Sequence, residues 1–149
     1  MAINRDYAGR RFEPSDPYEV SRVKIAEFAH AIGDQNPIYR DQAAAQAAGF
    51  RDVVAPPTFA IVISMVGSSV ALADPALGLN LALVVHSEQR FTCARPLQAG
   101  DMVTAQTTIS DIRAAGRTTL LSTETEIRTT EGELVCTAYS TIAERGGGA

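Results

Sequence analysis

Residues that bind metal ions are scarce in this sequence. It contains two histidines, His30 and His86, and two cysteines, Cys93 and Cys136, which lack the Cys-x-x-Cys spacing of structural zinc sites. Two histidines far apart in the chain, without a cysteine cluster, do not make such a site. We therefore exclude a zinc enzyme and expect neither a metal nor another cofactor.

Clustered positive charge and long apolar segments are lacking too. The formal net charge is -4, and no run of Lys or Arg is longer than Arg10-Arg11, which argues against nucleic acid or an anionic membrane as a partner. The uncharged segment 53–73 is interrupted by Pro56-Pro57, which leaves it short of the ~20 apolar residues of a membrane span. The polar N-terminus is unlike a signal peptide. We expect a cytoplasmic protein with reduced thiols, whose partners are proteins and small molecules.

What the chain does contain is enough apolar sequence for one core. With 149 residues, of which 46% are hydrophobic, it can fold as one domain without the help of disulfides or metal. We predict a single domain over residues 1–143, followed by a flexible Gly-rich tail over residues 144–149.

The first half of the chain shows helical periodicity. A helix is predicted over about Ser21–Ile32, capped by its first residue and ended by Gly33, although Asp16-Pro17 offers an earlier start. A short Ala-rich helix follows over 42–48. The long uncharged helix predicted over 58–73 has apolar residues on all sides, which is typical of a helix enclosed by other structure.

The second half of the chain changes to a period of two. Apolar and polar residues alternate in four segments that are separated by Gly-containing turns or longer joints, namely 86–93, 103–109, 121–128 and 134–143. This pattern predicts an antiparallel meander with one buried face. Helices followed by consecutive strands indicate an α+β fold, in which the long helix packs into the concave face of a curled sheet.

The most specific pattern lies in the segment 28–41. It reads Phe-Ala-His-Ala-Ile-Gly-Asp-Gln-Asn-Pro-Ile-Tyr-Arg-Asp, and Ala-Ala-Gly-Phe follows at 47–50. It resembles the hydratase signature of the MaoC-like dehydratases, the (R)-specific enoyl-thioester hydratases, whose core reads Gly-Asp-x-Asn-Pro-hydrophobic-His-x-Asp and then Gly-Phe. Phe91, Arg95-Pro96 and Gly100-Asp101 extend the similarity, which covers most of residues 18 to 143.

The resemblance implies a hotdog fold, with a long central helix wrapped by five or six antiparallel strands, and a hydro-lyase reaction. In that family an Asp and a His add water to, or remove it from, a 3-hydroxyacyl thioester. The reaction needs one group that takes the proton alpha to the thioester and one that protonates the departing hydroxyl. Backbone N–H groups stabilise the enolate-like oxygen that develops.

The sequence departs from this pattern at both catalytic features. Asp34 and Asn36-Pro37 are retained, but Tyr39 stands where the family has its His, and a phenol with a pKa of about 10 is a poor base. Pro57 stands where the family has the Gly whose amide serves the oxyanion, and proline has no N–H. Each loss is expected to cost ~10²–10⁴ in rate. No intact catalytic set is therefore expected.

The segment Ala55-Pro56-Pro57-Thr58-Phe59 narrows the resemblance to the non-catalytic partner chains of actinobacterial-type (3R)-hydroxyacyl-carrier-protein dehydratases. This implies a substrate-holding subunit of fatty-acid metabolism, inactive alone, that binds an acyl-CoA or acyl carrier protein thioester. It also implies a hetero- or homodimer with a hotdog partner that supplies the catalytic Asp and His. The expected substrate-binding residues are Asn36, Tyr39, Pro56, Thr58, Phe59 and His86.

Two other functions stay open at this point. One is a homodimeric acyl-thioester binding protein without catalysis, and the other is a hotdog thioesterase in which Asp34 or Glu88 activates water. Asp34 is either a vestigial or supporting site residue or a carboxylate that caps the turn. Tyr39 either lines the acyl channel or donates a hydrogen bond, or it packs its ring while its hydroxyl stays in contact with water. His86 faces the cleft or the dimer edge, or is purely structural.

Overall fold

In the computed structural model, which describes residues 2–146, the helices precede the long strands. The elements are β1 (Tyr18–Glu19), α1 (Arg22–Ala31), α2 (Gln42–Ala47), α3 (Ala60–Leu72), β2 (Val84–Cys93), β3 (Met102–Ala115), β4 (Thr118–Thr129) and β5 (Leu134–Arg145). Short 3-10 turns occupy Arg5–Tyr7, Pro37–Tyr39, Pro75–Leu77 and Leu81–Leu83. The α+β class expected from the sequence is confirmed.

Helix α1 begins where its cap predicts. The Ser21 hydroxyl accepts a hydrogen bond from the backbone N–H of Lys24 at 3.1 Å, and the residues before it are extended in β1, so the later helix start is confirmed. The last helical residue is Ala31, and Gly33, whose φ of 72° favours glycine, lies in the turn that ends the helix. Ile32 follows the last helical residue and is exposed.

The five strands form one antiparallel sheet in the order β1-β3-β4-β5-β2. The predicted meander is confirmed from β3 to β5, where the connections are two and four residues long. It is wrong for β2, which pairs with β5 and not with β3. The connection over 94–101 is longer than a tight hairpin loop, and it carries the chain past β5 and β4 to β3, which lies next to the edge strand β1.

One side of α3 packs against the concave face of this sheet. The approach is close at Gly67, where a Cβ atom would lie 2.8 Å from the Cβ of Ala105 on β3. Small residues allow this contact because they keep the helix axis near the strands. The residues of α3 that the sheet buries are Ala60, Ile63, Ser64, Gly67 and Ala71.

The other side of α3 is open. Met65, Val66 and Val70 are exposed to 61%, 42% and 54%. The prediction of a helix enclosed on all sides is therefore wrong for the single chain, because the sheet covers only one side of the helix. None of the helices within residues 2–146 is long and apolar enough to span a membrane.

The buried residues fall into two clusters along the length of α3. The first joins α1 and the start of α3 to the sheet around Ile25, Phe59 and Ile127. The second packs the N-terminal segment and the end of α3 onto the far part of the sheet, with Leu77 and Ile109 at its centre. The candidate site described below lies against the first cluster.

The C-terminal strand corrects two expectations. Glu144 and Arg145, assigned to the tail, continue β5, and Glu144 is buried where it accepts a hydrogen bond from the backbone N–H of Asn80 at 2.6 Å. Residues 147–149 of the predicted tail lie outside the described residues. Cys93 and Cys136, expected as separate thiols, are joined in a disulfide because the register of β2 on β5 places them directly opposite each other.

Candidate functional site

A cavity of about 960 Å³, called here the large cavity, lies between the turn after α1, the segment before α3 and strand β2. Its walls are mainly apolar and include the rings of Phe28, Phe50 and Phe91. Arg90 and Arg95 stand among the polar residues that border it. A cleft of this size, apolar with a few polar groups, suits an elongated apolar ligand with a polar end.

The motif turn after α1 is built from two side-chain caps in succession. The carboxylate of Asp34 accepts a hydrogen bond from the backbone N–H of Asn36 at 3.1 Å. The side-chain carbonyl of Asn36 accepts one from the N–H of Ile38 at 3.2 Å and starts the 3-10 turn that contains Pro37 and Tyr39. Both polar side chains therefore hold the turn in shape, as the structural interpretation of Asp34 predicts.

Tyr39, in the position of the family's His, is buried at the end of this turn and lines the large cavity. Burial raises the pKa of its phenol above the ordinary value of about 10, and the negative charge of Asp34 raises it further. The phenol therefore stays protonated at neutral pH. In this state it can pack against a ligand or donate a hydrogen bond, but it cannot take a proton.

The segment before α3 is held on both sides by backbone hydrogen bonds. The N–H of Val54 donates to the carbonyl of Ile38 at 3.1 Å, and the N–H of Ala55 donates to that of Leu97 at 2.8 Å. The next two residues, Pro56 and Pro57, line the large cavity and have no N–H to offer. Pro56 and Pro57 therefore form part of the cavity wall but cannot donate a backbone hydrogen bond to a ligand.

The expected substrate-binding residues divide into two groups. The structure brings Tyr39, Pro56, Thr58 and His86 together around the large cavity, and it does not bring Asn36 or Phe59 there. The Asn36 amide is used in the motif turn. Phe59 is fully buried and packs edge to face against Phe28, with ring centroids 5.4 Å apart, so it supports the cavity wall from behind.

Several lining residues are missing from the sequence expectations. Phe28 is a wall residue because the motif turn folds back over its side of α1. Gln89 lies on β2, and its two-residue spacing from Phe91 places both side chains on the same face of the strand. That spacing was visible in the sequence, whereas the packing of β2 beside α3 was not.

An ion-pair network fixes the rim of the large cavity. The guanidinium of Arg95 donates to Asp101 at 2.8 Å and to Glu133 at 2.8 Å, and Asp101 also accepts from the backbone N–H of Gln98 at 2.8 Å. These bonds to Glu133 and Asp101 raise the pKa of Arg95 and lower that of Glu133. The network holds the connection 94–101, and Gly100 with φ of 92° lets the chain turn there into β3.

A second cavity of about 190 Å³, called here the inner cavity, lies between α3 and the sheet. It shares Ile61, His86 and Gln89 with the large cavity. The Nε2 atom of His86 is 3.1 Å from the hydroxyl of Ser140 and 3.1 Å from the carbonyl of Glu88. The two cavities meet at these shared residues.

Exposed apolar side chains collect beside the inner cavity. They come from the open side of α3 and from the chain that leads into β2, which is an edge strand of the sheet. Met65 and Val84 border the same inner cavity, so these two regions are neighbours. We call the exposed apolar side of α3 the outer apolar face, and it consists of Met65, Val66 and Val70; the other exposed apolar residues, Leu81, Leu83 and Val85, lie before and at the start of β2.

Comparison with known proteins finds similar sequences over nearly the whole chain. Residues 6–138 match the family described as "FAS1-like, dehydratase domain region". A UPF0336 protein of Thermobifida fusca is 56% identical over 146 residues, which cover 98% of this chain and 96% of the relative.

Solved structures with the same fold include two relevant neighbours. A MaoC-like dehydratase superposes with a TM-score of 0.86 at 27% identity, and the match covers 95% of this chain but 43% of that one. The HadBC (3R-hydroxyacyl-ACP dehydratase) complex of Mycobacterium tuberculosis has a chain that superposes with a TM-score of 0.80 at 27% identity, covering 93% and 97%. The present chain thus spans less than half of the first neighbour and nearly all of the second.

Proposed function

The chain belongs to the FAS1-like dehydratase family of hotdog proteins, and on that premise we propose that it is the substrate-holding, non-catalytic subunit of a (3R)-3-hydroxyacyl-thioester dehydratase or enoyl-thioester hydratase. Its place is in fatty-acid metabolism, and its ligand is an acyl thioester of coenzyme A or acyl carrier protein. The catalytic Asp and His belong to a partner hotdog chain.

The single observation that carries the proposal is the protonated phenol of Tyr39 at the catalytic position. Dehydration breaks the C–H bond alpha to the thioester and the C–O bond at carbon 3, and one group must accept the proton while another donates one to the leaving hydroxyl. A phenol whose pKa is raised by burial cannot accept a proton at neutral pH. The base must therefore come from elsewhere.

The prolines before α3 support the same conclusion. An enolate-like oxygen develops on the thioester carbonyl, and it is stabilised by preorganised N–H donors. Pro57 occupies the position of the family's donor and has none. Tyr39 and Pro57 thus supply neither the base nor the oxyanion donor that the family has at these two positions.

The large cavity supports a role in holding the substrate. Its apolar walls can take up the acyl chain, and each buried methylene contributes about 0.8 kcal/mol to binding. The rim is held in place by Arg95 and Asp101, so the opening is formed before the ligand arrives. A preformed apolar cavity without a base is suited to binding and not to turnover.

The outer apolar face supports the partner in this proposal. Exposed apolar side chains on one helix, here Met65, Val66 and Val70, are typical of an interaction surface, and β2, as an edge strand, has one row of backbone groups without a neighbouring strand. The HadBC neighbour is itself a complex, and the MaoC-like neighbour has more than twice the length that this chain covers. A second hotdog domain is the partner that fits both comparisons.

A hydration assay with crotonyl and longer enoyl thioesters tests the proposal. The chain alone is expected to give no turnover, and a mixture with a MaoC-like chain that carries the intact Asp and His motif is expected to exceed that partner alone. Tyr39→Phe should keep the activity of the mixture, because the phenol takes no proton. Inactivation of the mixture by substituting the partner's motif His serves as the positive control.

Other outcomes would point to other functions. Turnover by the pure chain that is lost in Tyr39→Phe or Asp34→Ala would refute the non-catalytic role. Release of free thiol from an acyl thioester would indicate a thioesterase. A stable homodimer that binds acyl thioester but accelerates no partner would indicate a binding protein without catalysis.

A further inference from the structure

The carboxamide of Gln89 is buried without a partner. Both Oε1 and Nε2 are shielded from solvent, and within residues 2–146 neither makes a hydrogen bond. A side-chain amide carries two N–H donors and an acceptor oxygen, and leaving them unpaired costs folding free energy. Native proteins keep such groups rarely, so this one calls for an explanation.

Three of the hydroxyl groups that border the inner cavity with Gln89 are already paired. The hydroxyl of Ser140, which lies opposite Gln89 in the β2–β5 register, is 3.1 Å from Nε2 of His86. The Thr125 hydroxyl bonds to that of Thr107 at 2.8 Å, and the Ser64 hydroxyl donates to the carbonyl of Ile61 at 3.2 Å. These hydroxyls are bonded within the sheet or within α3, and none of them is bonded to Gln89.

Gln89 lies where the two cavities meet. It lines both the large and the inner cavity, and only Ile61 and His86 share this position among the described lining residues. A ligand that extends from one cavity into the other must pass its side chain. Because the carboxamide makes no hydrogen bond, rotation about its own side-chain bonds toward such a ligand breaks none.

The surroundings leave this amide as an unused hydrogen-bonding group for a ligand. The inner cavity is bordered by aliphatic side chains such as Met65, Leu72 and Ile142, and the hydroxyls of Ser64, Thr125 and Ser140, which also border it, are already within hydrogen-bond distance of other protein groups. In an apolar site, a group that hydrogen-bonds the ligand rejects analogues that leave it unpaired. A hydroxyl can accept a hydrogen bond from Nε2 and donate one to Oε1, a carbonyl can only accept, and a methylene can do neither.

We infer that Gln89 is a specificity-determining residue that binds a hydroxyl group on the acyl chain, so that the site prefers a 3-hydroxyacyl thioester over the saturated acyl thioester of equal length. This inference rests on the proposed function for the class of ligand. It goes beyond the proposed function in two respects: it assigns substrate recognition to Gln89, which lies outside the motif turn, and it identifies the 3-hydroxyl group as the substituent that is recognised.

Binding of two probes by isothermal titration calorimetry tests the inference. The full chain, alone and with its hotdog partner, is titrated with (3R)-3-hydroxyoctanoyl-coenzyme A and with octanoyl-coenzyme A. The wild-type chain is expected to bind the hydroxylated probe roughly tenfold more tightly. In Gln89→Leu the ratio should fall to about one, mainly because the hydroxylated probe binds more weakly.

Two controls separate recognition from folding. Gln89→Leu keeps the size of the side chain and removes an unpaired amide, so its melting temperature should equal or exceed that of the wild type. Ser64→Ala changes another polar side chain of the inner cavity whose hydroxyl is already bonded, and it should keep the wild-type ratio.

The outcomes distinguish this inference from the proposed function. If both probes bind and the ratio is the same in the wild type and Gln89→Leu, Gln89 does not recognise the hydroxyl, and the substrate-holding role stands. If neither probe binds the chain or its complex, the substrate-holding role falls and the inference falls with it. A large loss of melting temperature in Gln89→Leu would also contradict it, because the side chain would then be a structural one.

Discussion

The two sides of α3 are both apolar, but one is buried and the other is exposed. The inner side, with Ile63 and Gly67, is buried against the sheet, whereas Met65, Val66 and Val70 on the outer side are exposed. The inner side carries small residues, such as Gly67, that let helix and strands come close, while the outer side carries larger ones that the sheet leaves exposed. The comparison teaches that one side completes the core of the single chain, whereas the other is the surface that the proposed function assigns to a partner.

The largest expected effect comes from adding bulk to the inner side. In Gly67→Val the new Cβ would lie 2.8 Å from that of Ala105 and 3.2 Å from its carbonyl oxygen, which sits in a paired strand and cannot move aside easily. We expect a loss of about 3 kcal/mol in the free energy of unfolding, or roughly 6–12 °C in melting temperature. Thermal denaturation followed by circular dichroism measures it.

A matched control lies two residues further along the same helix. Ser69→Val adds the same side chain on the exposed side, and it should change the free energy of unfolding by less than about 0.5 kcal/mol. Equal losses in the two variants would contradict the difference between the two sides.

The next effect is expected on assembly and not on stability. In Val70→Asp a charge enters the outer apolar face, where a partner would have to bury it without a counter-ion. We expect the dissociation constant of the complex with the hotdog partner to rise about 30-fold or more, which corresponds to about 2 kcal/mol. Analytical ultracentrifugation of the mixture measures this change.

Val23 supplies the comparison for that variant. It is 77% exposed on α1, away from the outer apolar face, so Val23→Asp introduces the same charge where no partner is expected. The melting temperature of both isolated variants should stay near that of the wild type. If Val23→Asp weakens assembly as much as Val70→Asp does, the outer apolar face is not the interface.

The smallest effect concerns an ion pair that belongs to neither side of α3. The carboxylate of Asp52 accepts hydrogen bonds from Arg22 at 2.7 and 3.0 Å and from the backbone N–H of Val53 at 2.7 Å, and the bonds from Arg22 are the main reason that its pKa is lowered. A carboxyl whose pKa is lowered by folding stabilises the chain above its unfolded pKa of about 3.9, and this contribution is lost as the pH falls through the folded value.

Asp52→Asn should therefore lower the melting temperature slightly at pH 7 and less at pH 3. We expect at most a few degrees at pH 7, because the Arg22 side chain is largely exposed. Asp111→Asn, which removes an ion pair exposed on both sides, is the control and should have no measurable effect at either pH. A difference between Asp52→Asn and wild type that grows on acidification would contradict this assignment.

Much of the local structure could be predicted from the sequence. The Ser21 cap, the turn of Asp34 and Asn36 and the strand alternation after His86 all appear where the sequence places them. Each depends on residues within a few positions of one another, so short-range hydrogen bonding and periodicity suffice. The positions of Tyr39 and Pro57 at the cavity likewise follow from the motif that contains them.

The pairing of β2 could not be predicted in the same way. The apolar and polar residues of β2 alternate in the same way whether the strand pairs with β3 or with β5. The long connection 94–101 allows β2 to pair with β5 in the folded chain. The disulfide between Cys93 and Cys136 and the placement of Gln89 opposite Ser140 follow from that pairing. None of them has a local signal, since the partners are more than 40 residues apart.

The sequence by itself determined what this chain has lost, because the absence of a base at Tyr39 and of an N–H at Pro57 is a property of residue type. Only the tertiary structure decided what remains for the chain to do. It buried the phenol, left one side of α3 without cover and brought Gln89 to the junction of two cavities without a partner. Burial and pairing depend on contacts between distant segments, and these exist only once the sheet has formed and packed against the helix.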